Sequence, residues 1–161
     1  MPHAVLPSPV GALGIRTDDD GVREIRFLHD APTDDAAVAG DPVLRSVREQ
    51  LDAYFAGELT TFDVPFALAG SPFQRRVWEA LLEVPYGHTC TYKELATAVG
   101  GSANPRAVGS ANGSNPISIV VPCHRVVGSD GTLIGYGGGL DNKRTLLELE
   151  ARVRITREFA T

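Results

Sequence analysis

Two prolines restrict this chain more than any other residues, because each follows a side chain able to cap a helix. In Asp41-Pro42 and Ser71-Pro72 the first residue can accept hydrogen bonds from free backbone amides. The second has no amide proton and is tolerated at the first helical position. Beyond Asp41-Pro42, Val43, Leu44, Val47, Leu51, Tyr54 and Phe55 recur at helical spacing until Gly57 ends the run. Beyond Ser71-Pro72, Phe73, Val77, Trp78, Leu81 and Leu82 share one side of a second helix, and Pro85-Tyr86-Gly87 terminates it.

The residues before the first helix alternate. Leu13 and Ile15, then Val22, Ile25 and Phe27, flank the turn Asp18-Asp19-Asp20-Gly21, which predicts a hairpin with a solvated acidic tip rather than a metal site. Residues 30–40 read as a surface loop and Thr61 to Leu68 as a further strand, with a domain boundary at Ala69-Gly70. A chain of 161 residues can bury a core as one domain or as two small ones. Residues 1–69 hold five Lys/Arg against twelve Asp/Glu, and residues 70–161 hold ten against eight. Only the second part, mildly positive, suits a phosphate backbone. No stretch reaches the roughly 20 apolar residues of a membrane helix, and MPHAVLPSPV lacks the pattern of a leader, so a cytoplasmic protein with no membrane partner is expected.

In the second part Thr91-Tyr92-Lys93-Glu94 matches a capping box, which places Tyr92 in the first turn of a short helix ending at Gly100-Gly101. Another short helix is expected from about Ser102 or Asn104 to Asn112, completing a helix-turn-helix outline. Ala107, Gly109, Ser110, Ala111 and Gly113 give it little bulk, and Arg106 is its one long cation. Tight packing within the protein and close approach to an external backbone both remain open for these small residues. After Asn115-Pro116, the β-branched Ile119, Val120 and Val121 predict a buried strand that Pro122 stops, leaving Cys123 at the strand end. Gly128 to Leu140 is a glycine-rich loop, read as a cleft wall because it carries neither a Walker lysine nor GxGxxG, and Asp141 is expected to cap a last helix with Leu146, Leu147 and Glu150.

The chemistry concentrates at Cys123-His124. A free thiol is only a few per cent thiolate at neutral pH, so a base is needed. Successive side chains on extended backbone point to opposite faces, which favours a water between Cys123 and His124, and Glu150 could orient the imidazole. Cys90 is read as a small hydrophobe. With two cysteines and no CxxC pair, neither a disulfide framework nor a structural zinc site is expected.

The run PCHRVVGSDGTLIGYGGGL, preceded by PYGHTCTYKELATAVG and RAVGSANGSNP and followed by KRTLLELE, resembles the O6-alkylguanine-DNA alkyltransferase family. The likeness is dense over about residues 71–151 and looser over the first 70. It implies an α+β fold: an N-terminal ribonuclease-H-like sheet-and-helix domain (1–69) and a mostly helical C-terminal domain with the helix-turn-helix (70–161). It further implies a standalone, single-turnover methyltransferase that moves the alkyl group of O6-alkylguanine irreversibly to its own cysteine, with O4-alkylthymine open as a second substrate. No cofactor and no metal are implied. The implied partner is double-stranded DNA carrying the lesion, bound by a monomer, with cooperative binding along the duplex left open.

The resemblance assigns roles residue by residue. Cys123 would accept the alkyl group, His124 would act as base through water, and Glu150 would orient it. Tyr92 would donate a proton to the departing guanine and help rotate its phosphate, and Asn115 would be a hinge before the cysteine loop. Arg106 would fill the stack after base flipping, with Ala107, Gly109 and Ala111 against DNA, so the small-residue helix is assigned to DNA contact. Val126, Tyr136 and Gly137 would line the guanine pocket. One departure stands out: Asn104-Pro105 directly precedes Arg106, where the family usually has small or polar residues, implying a late or altered start of that helix. Two alternatives carry different chemistry. An alkyltransferase-like protein would bind the lesion without repairing it, but lacks the acceptor cysteine. A cysteine hydrolase would turn over repeatedly.

Overall fold

The computed structural model describes residues 3–101 and 103–159. Met1, Pro2 and the earlier helix start considered at Ser102 lie outside the described residues. The chain divides into two units, Met1–Leu68 with Pro116–Ser118 and Ala69–Asn115 with Ile119–Thr161.

In the first unit, strands β1 (His3–Leu6), β2 (Ala12–Asp18) and β3 (Gly21–His29) form an antiparallel sheet in the order β1-β2-β3. The Asp18–Gly21 hairpin lies where the acidic turn chemistry put it, and Arg23 pairs with Asp18 and Asp20 at the tip. Leu13, Ile15, Val22 and Ile25 are buried beneath helix α1 (Pro42–Phe55), whose Leu44, Val47, Leu51 and Tyr54 supply the other half of the core. The Asp41 carboxylate accepts from the amides of Val43 and Leu44 as a cap should, and Thr17 Oγ1 of β2 donates to its other oxygen at 3.3 Å. Both sheet edges are covered by short bridges: β1 by Asp34, and β3 by Phe66 and Ile117.

The strand expected over Thr61–Leu68 does not form. Only Phe66 bridges, to Val22. Pro65 has no amide to give, and Gln50 takes both backbone groups of Asp63 with its side-chain amide, so too few polar groups remain for a ladder.

The second unit is mostly helical. Helix α2 (Pro72–Leu81) begins with a full capping box between Ser71 and Gln74, and buries Val77, Trp78 and Leu81, while Leu82 is exposed. Strand β4 (Cys90–Thr91) runs parallel to β5 (Val126–Val127). Between them come α3 (Tyr92–Val99), capped by the expected Thr91–Glu94 box, and α4 (Pro105–Gly113). Helices α2, α3 and α4 pack on one another, and Trp78 Nε1 donates to the Ala111 carbonyl at 2.9 Å. Gly100 and Gly101, both at positive φ, make the turn between α3 and α4. The last helix, α5 (Leu140–Phe159), turns Lys143, Leu146, Leu149, Glu150 and Val153 inward. Asp141 lies inside its first turn rather than capping it, because the first helical bond runs from the Lys143 amide to Gly139. Among the described residues no helix is long and apolar enough to cross a membrane.

Gly21 gives a direct test of this architecture. Its φ is +110°, and an added Cβ would collide with the Pro65 carbonyl beside the Val22 bridge. Gly21→Ala is expected to cost about 2–4 kcal/mol in urea unfolding. Gly131→Ala, at φ +83° but with open space around it, should cost about 1–2 kcal/mol.

Candidate active site

The chain reaches Cys123 by a route that apolar patterning alone does not predict. Ile119, Val120 and Val121 are buried, but Ile119 and Val120 form a turn and Val121 only an isolated bridge, not the expected strand. Ile119 has φ +72°, a strained conformation for a β-branched residue, as the chain leaves the pairing of Pro116 and Ser118 with Ile25. Pro122, at φ −82° and ψ 64°, then centres an inverse γ-turn closed by the Cys123 amide on the Val121 carbonyl at 2.8 Å. Cys123–Arg125 follow as a single 3-10 turn, so Cys123 starts a helical turn rather than ending a strand.

Two asparagines fix this turn. Asn115 Nδ2 donates to the Val121 carbonyl at 2.7 Å, and Asn112 Nδ2 to the Cys123 carbonyl at 3.3 Å. Asn115 was identified by resemblance as a hinge, and in the structure it braces the cysteine loop. Asn112 was missed. Its signal was a polar residue on the same helical face as Val108 and Ala111.

Behind the cysteine lies a buried charged cluster. Glu150 accepts from His124 Nε2 at 2.7 Å, from Arg125 Nε at 2.7 Å and Nη2 at 3.1 Å, and from the Gly87 amide at 3.4 Å. Arg125 Nη1 donates to the Val84 carbonyl at 2.8 Å, and its guanidinium lies 5.6 Å from the Tyr86 ring centroid. Burial resists ionisation of Glu150, but the hydrogen bond from His124 and then the bonds and charge of Arg125 outweigh it and hold the carboxyl below the usual carboxylate range. An ionised carboxylate only accepts, so His124 Nε2 must carry the proton facing it. Burial, the largest influence on His124, lowers its pKa despite the Glu150 bond. The neutral ring therefore presents a bare Nδ1, which is buried and has no hydrogen-bond partner among the described residues.

Cys123 is 5% exposed. Burial pushes its thiol up, while hydrogen bonds from Asn115 and Tyr136, its own backbone and the Lys143 charge pull the other way. The resting group is thus a thiol beside a neutral base, an arrangement that can create a nucleophile on demand. Cys90 is half-buried, with its thiol pushed up to about 11 by burial and then by Glu94.

The other sequence candidates divide. Tyr92, at the first position of α3, donates its hydroxyl to the Ile134 carbonyl at 3.2 Å, and burial raises its pKa, with the Cys123 and Cys90 charges adding to the rise. Val126 is buried in β5, Tyr136 is half-buried beside the thiol, and Gly137 is exposed on the glycine-rich loop. On α4 the Asn104 side chain accepts from the Ala107 amide, and Pro105 occupies the first helical position. The helix therefore starts one residue before Arg106 with a side-chain cap in place, and Arg106 is exposed in its first turn. Ala107 is half-exposed, whereas Ala111 is buried and faces inward, away from any external ligand. Gly109 lies against Tyr92, where an added Cβ would sit 3.6 Å from the ring. Arg125 and Lys143, central to the site, were not singled out from the sequence.

Comparison with known proteins covers nearly the whole chain. The family described as 6-O-methylguanine DNA methyltransferase matches through its ribonuclease-like domain over residues 1–68 and its DNA binding domain over residues 72–152. A methylated-DNA–protein-cysteine methyltransferase of Mycolicibacterium paratuberculosis is 49% identical, covering 93% of this chain and 92% of the relative. One of Methanosarcina acetivorans is 46% identical, covering 93% and 98%. The solved structure of Mycobacterium tuberculosis OGT in complex with DNA superposes with a TM-score of 0.82 at 46% identity, covering 92% of each chain.

The Glu150 cluster sets an acid dependence. Glu150 titrates lower folded than its ordinary 4.5, so it contributes stability above that value, which is lost as pH falls toward 2. His124 titrates lower than its ordinary 6.5, so stability also declines as pH drops below that. Both groups act in the same direction. Urea midpoints are expected to fall from about pH 6.5 downward. Glu150→Gln should lose about 3–5 kcal/mol at neutral pH, because Arg125 is left buried without its counter-charge, and should show a flatter profile below pH 4.5.

Proposed function

The chain belongs to the 6-O-methylguanine DNA methyltransferase family, and on that premise we propose that Cys123 is the acceptor in a direct, stoichiometric repair of O6-alkylguanine in double-stranded DNA. The observation that carries this reading is the buried series of Cys123, then His124 with its bare Nδ1, then the ionised Glu150. The thiol proton passes through a water to His124 Nδ1, and the imidazolium is stabilised by Glu150. The sulfur forms a bond to the alkyl carbon as the carbon–O6 bond breaks, and the electron pair leaves on the guanine. Tyr92 gives its hydroxyl proton to the base and recovers one from His124. The sum is a proton and an alkyl group exchanged between Cys123 and guanine. The product thioether has no route back, so each molecule acts once.

The target base must leave the duplex, which costs a few kcal/mol in lost stacking and pairing. Arg106, exposed in the first turn of α4, enters the vacated position, and Ala107 beside it is small enough for a close minor-groove approach. Residues 70–161 thus hold the DNA-binding and acceptor functions, with Val126, Tyr136 and Gly137 around the guanine and Asn115 holding the cysteine loop. A cytoplasmic compartment, where thiols stay reduced, keeps Cys123 available.

Incubation with a duplex containing O6-methylguanine should add one methyl mass to the peptide carrying Cys123, and product should stop at one equivalent. An unmodified protein, an adduct on Cys90, or continued turnover would each refute the assignment. Arg106→Ala is expected to slow repair in duplex DNA by roughly thirtyfold, corresponding to about 2 kcal/mol of flipping energy, and to leave reaction with free O6-benzylguanine nearly unchanged. Single-turnover rates on the two substrates check this, and equal losses would remove Arg106 from base flipping.

A further inference from the structure

Lys143 is fully buried, although its neighbour Arg144 is exposed. Its Nζ donates to the Ile134 carbonyl at 3.1 Å, lies 3.5 Å from the Gly135 carbonyl, and sits 5.9 Å from the centroid of Tyr136. Among the described residues no carboxylate is within ion-pair distance of it. Burying an ammonium without a counter-ion costs several kcal/mol, a larger penalty than two carbonyl contacts offset. The titratable groups facing it are Cys123 and His124 from the 3-10 turn, Tyr136 from the glycine-rich loop, and Tyr92, whose hydroxyl shares the Ile134 carbonyl. Beyond His124, the Glu150 charge is already taken by His124 and Arg125. Of these groups, Cys123 is the one that must become an anion before the sulfur can attack.

We propose that Lys143 is a positioning residue for alkyl transfer: pinned on the Ile134 and Gly135 carbonyls, its ammonium is the counter-charge of the thiolate formed at Cys123. The same contacts hold the loop wall against Tyr92 until the base enters. The mutual influence is consistent with this role, since burial lowers the Lys143 pKa and the Cys123 charge raises it, while Lys143 pulls the Cys123 thiol down. The proposal rests on Cys123 being the acceptor.

The test compares wild type, Lys143→Met and Lys143→Arg for transfer from free O6-benzylguanine, followed by intact mass over a range of pH. Lys143→Arg should stay within about threefold of wild type. Lys143→Met should be slowed about tenfold or more near neutrality and recover as pH rises, because each unit of thiol pKa is a factor of ten in thiolate. A rate unchanged by Lys143→Met, or a deficit constant at every pH, would reduce Lys143 to a packing peg and overturn the proposal. Absence of any wild-type adduct would instead overturn the acceptor reading. Should Lys143→Met fail to fold, the wild type alone decides. The Lys143 Nζ titration, followed by nitrogen NMR, should move to lower pH once Cys123 is methylated, and an unmoved midpoint would count against the charge pairing.

Discussion

The Glu150 carboxylate is the interaction on which the second unit depends. It is buried, yet it receives donors from His124, Arg125 and Gly87, so a residue of the last helix fixes both the cysteine turn and the segment after α2. Removing a carboxylate of this size from water costs several kcal/mol, and only the full set of donors offsets that cost. Arg125 is the less obvious half of the arrangement. Its charge keeps Glu150 ionised without His124 having to be protonated, which leaves the imidazole neutral and able to act as a base.

The two faces of α4 do different work. Val108, Ala111 and Asn112 point inward, where the Ala111 carbonyl holds Trp78 and the Asn112 amide holds the Cys123 carbonyl. Arg106 and Ser110 point out. The Asn112 side chain thus ties α4 to the backbone of the cysteine turn within one unit.

Signals confined to a few residues were legible in the sequence, and those set by tertiary contacts were not. Asp41, Ser71 and Thr91 cap as their chemistry requires, because a capping bond is closed within four residues. The Asp18–Gly21 hairpin is equally local. Ile119–Val121 misled because burial makes a turn as apolar as a strand, and nothing in the three side chains announces a positive φ at Ile119. Arg125 and Lys143 escaped notice because long cations belong by default at the surface, and only the fold shows which carbonyls and carboxylates receive them. Ala111 was assigned outward because smallness was weighed and helical phase was not: it lies three residues from Val108 and five from Arg106, on the inward face.

The burial of Cys123 has a temporal consequence. As the proposed acceptor, used once, Cys123 must survive its wait, and a protonated thiol screened from solvent is a poor target for peroxide or for stray electrophiles. What is conserved in this way is shelf life: the number of lesions a cell can erase equals the number of molecules whose sulfur has not yet been wasted.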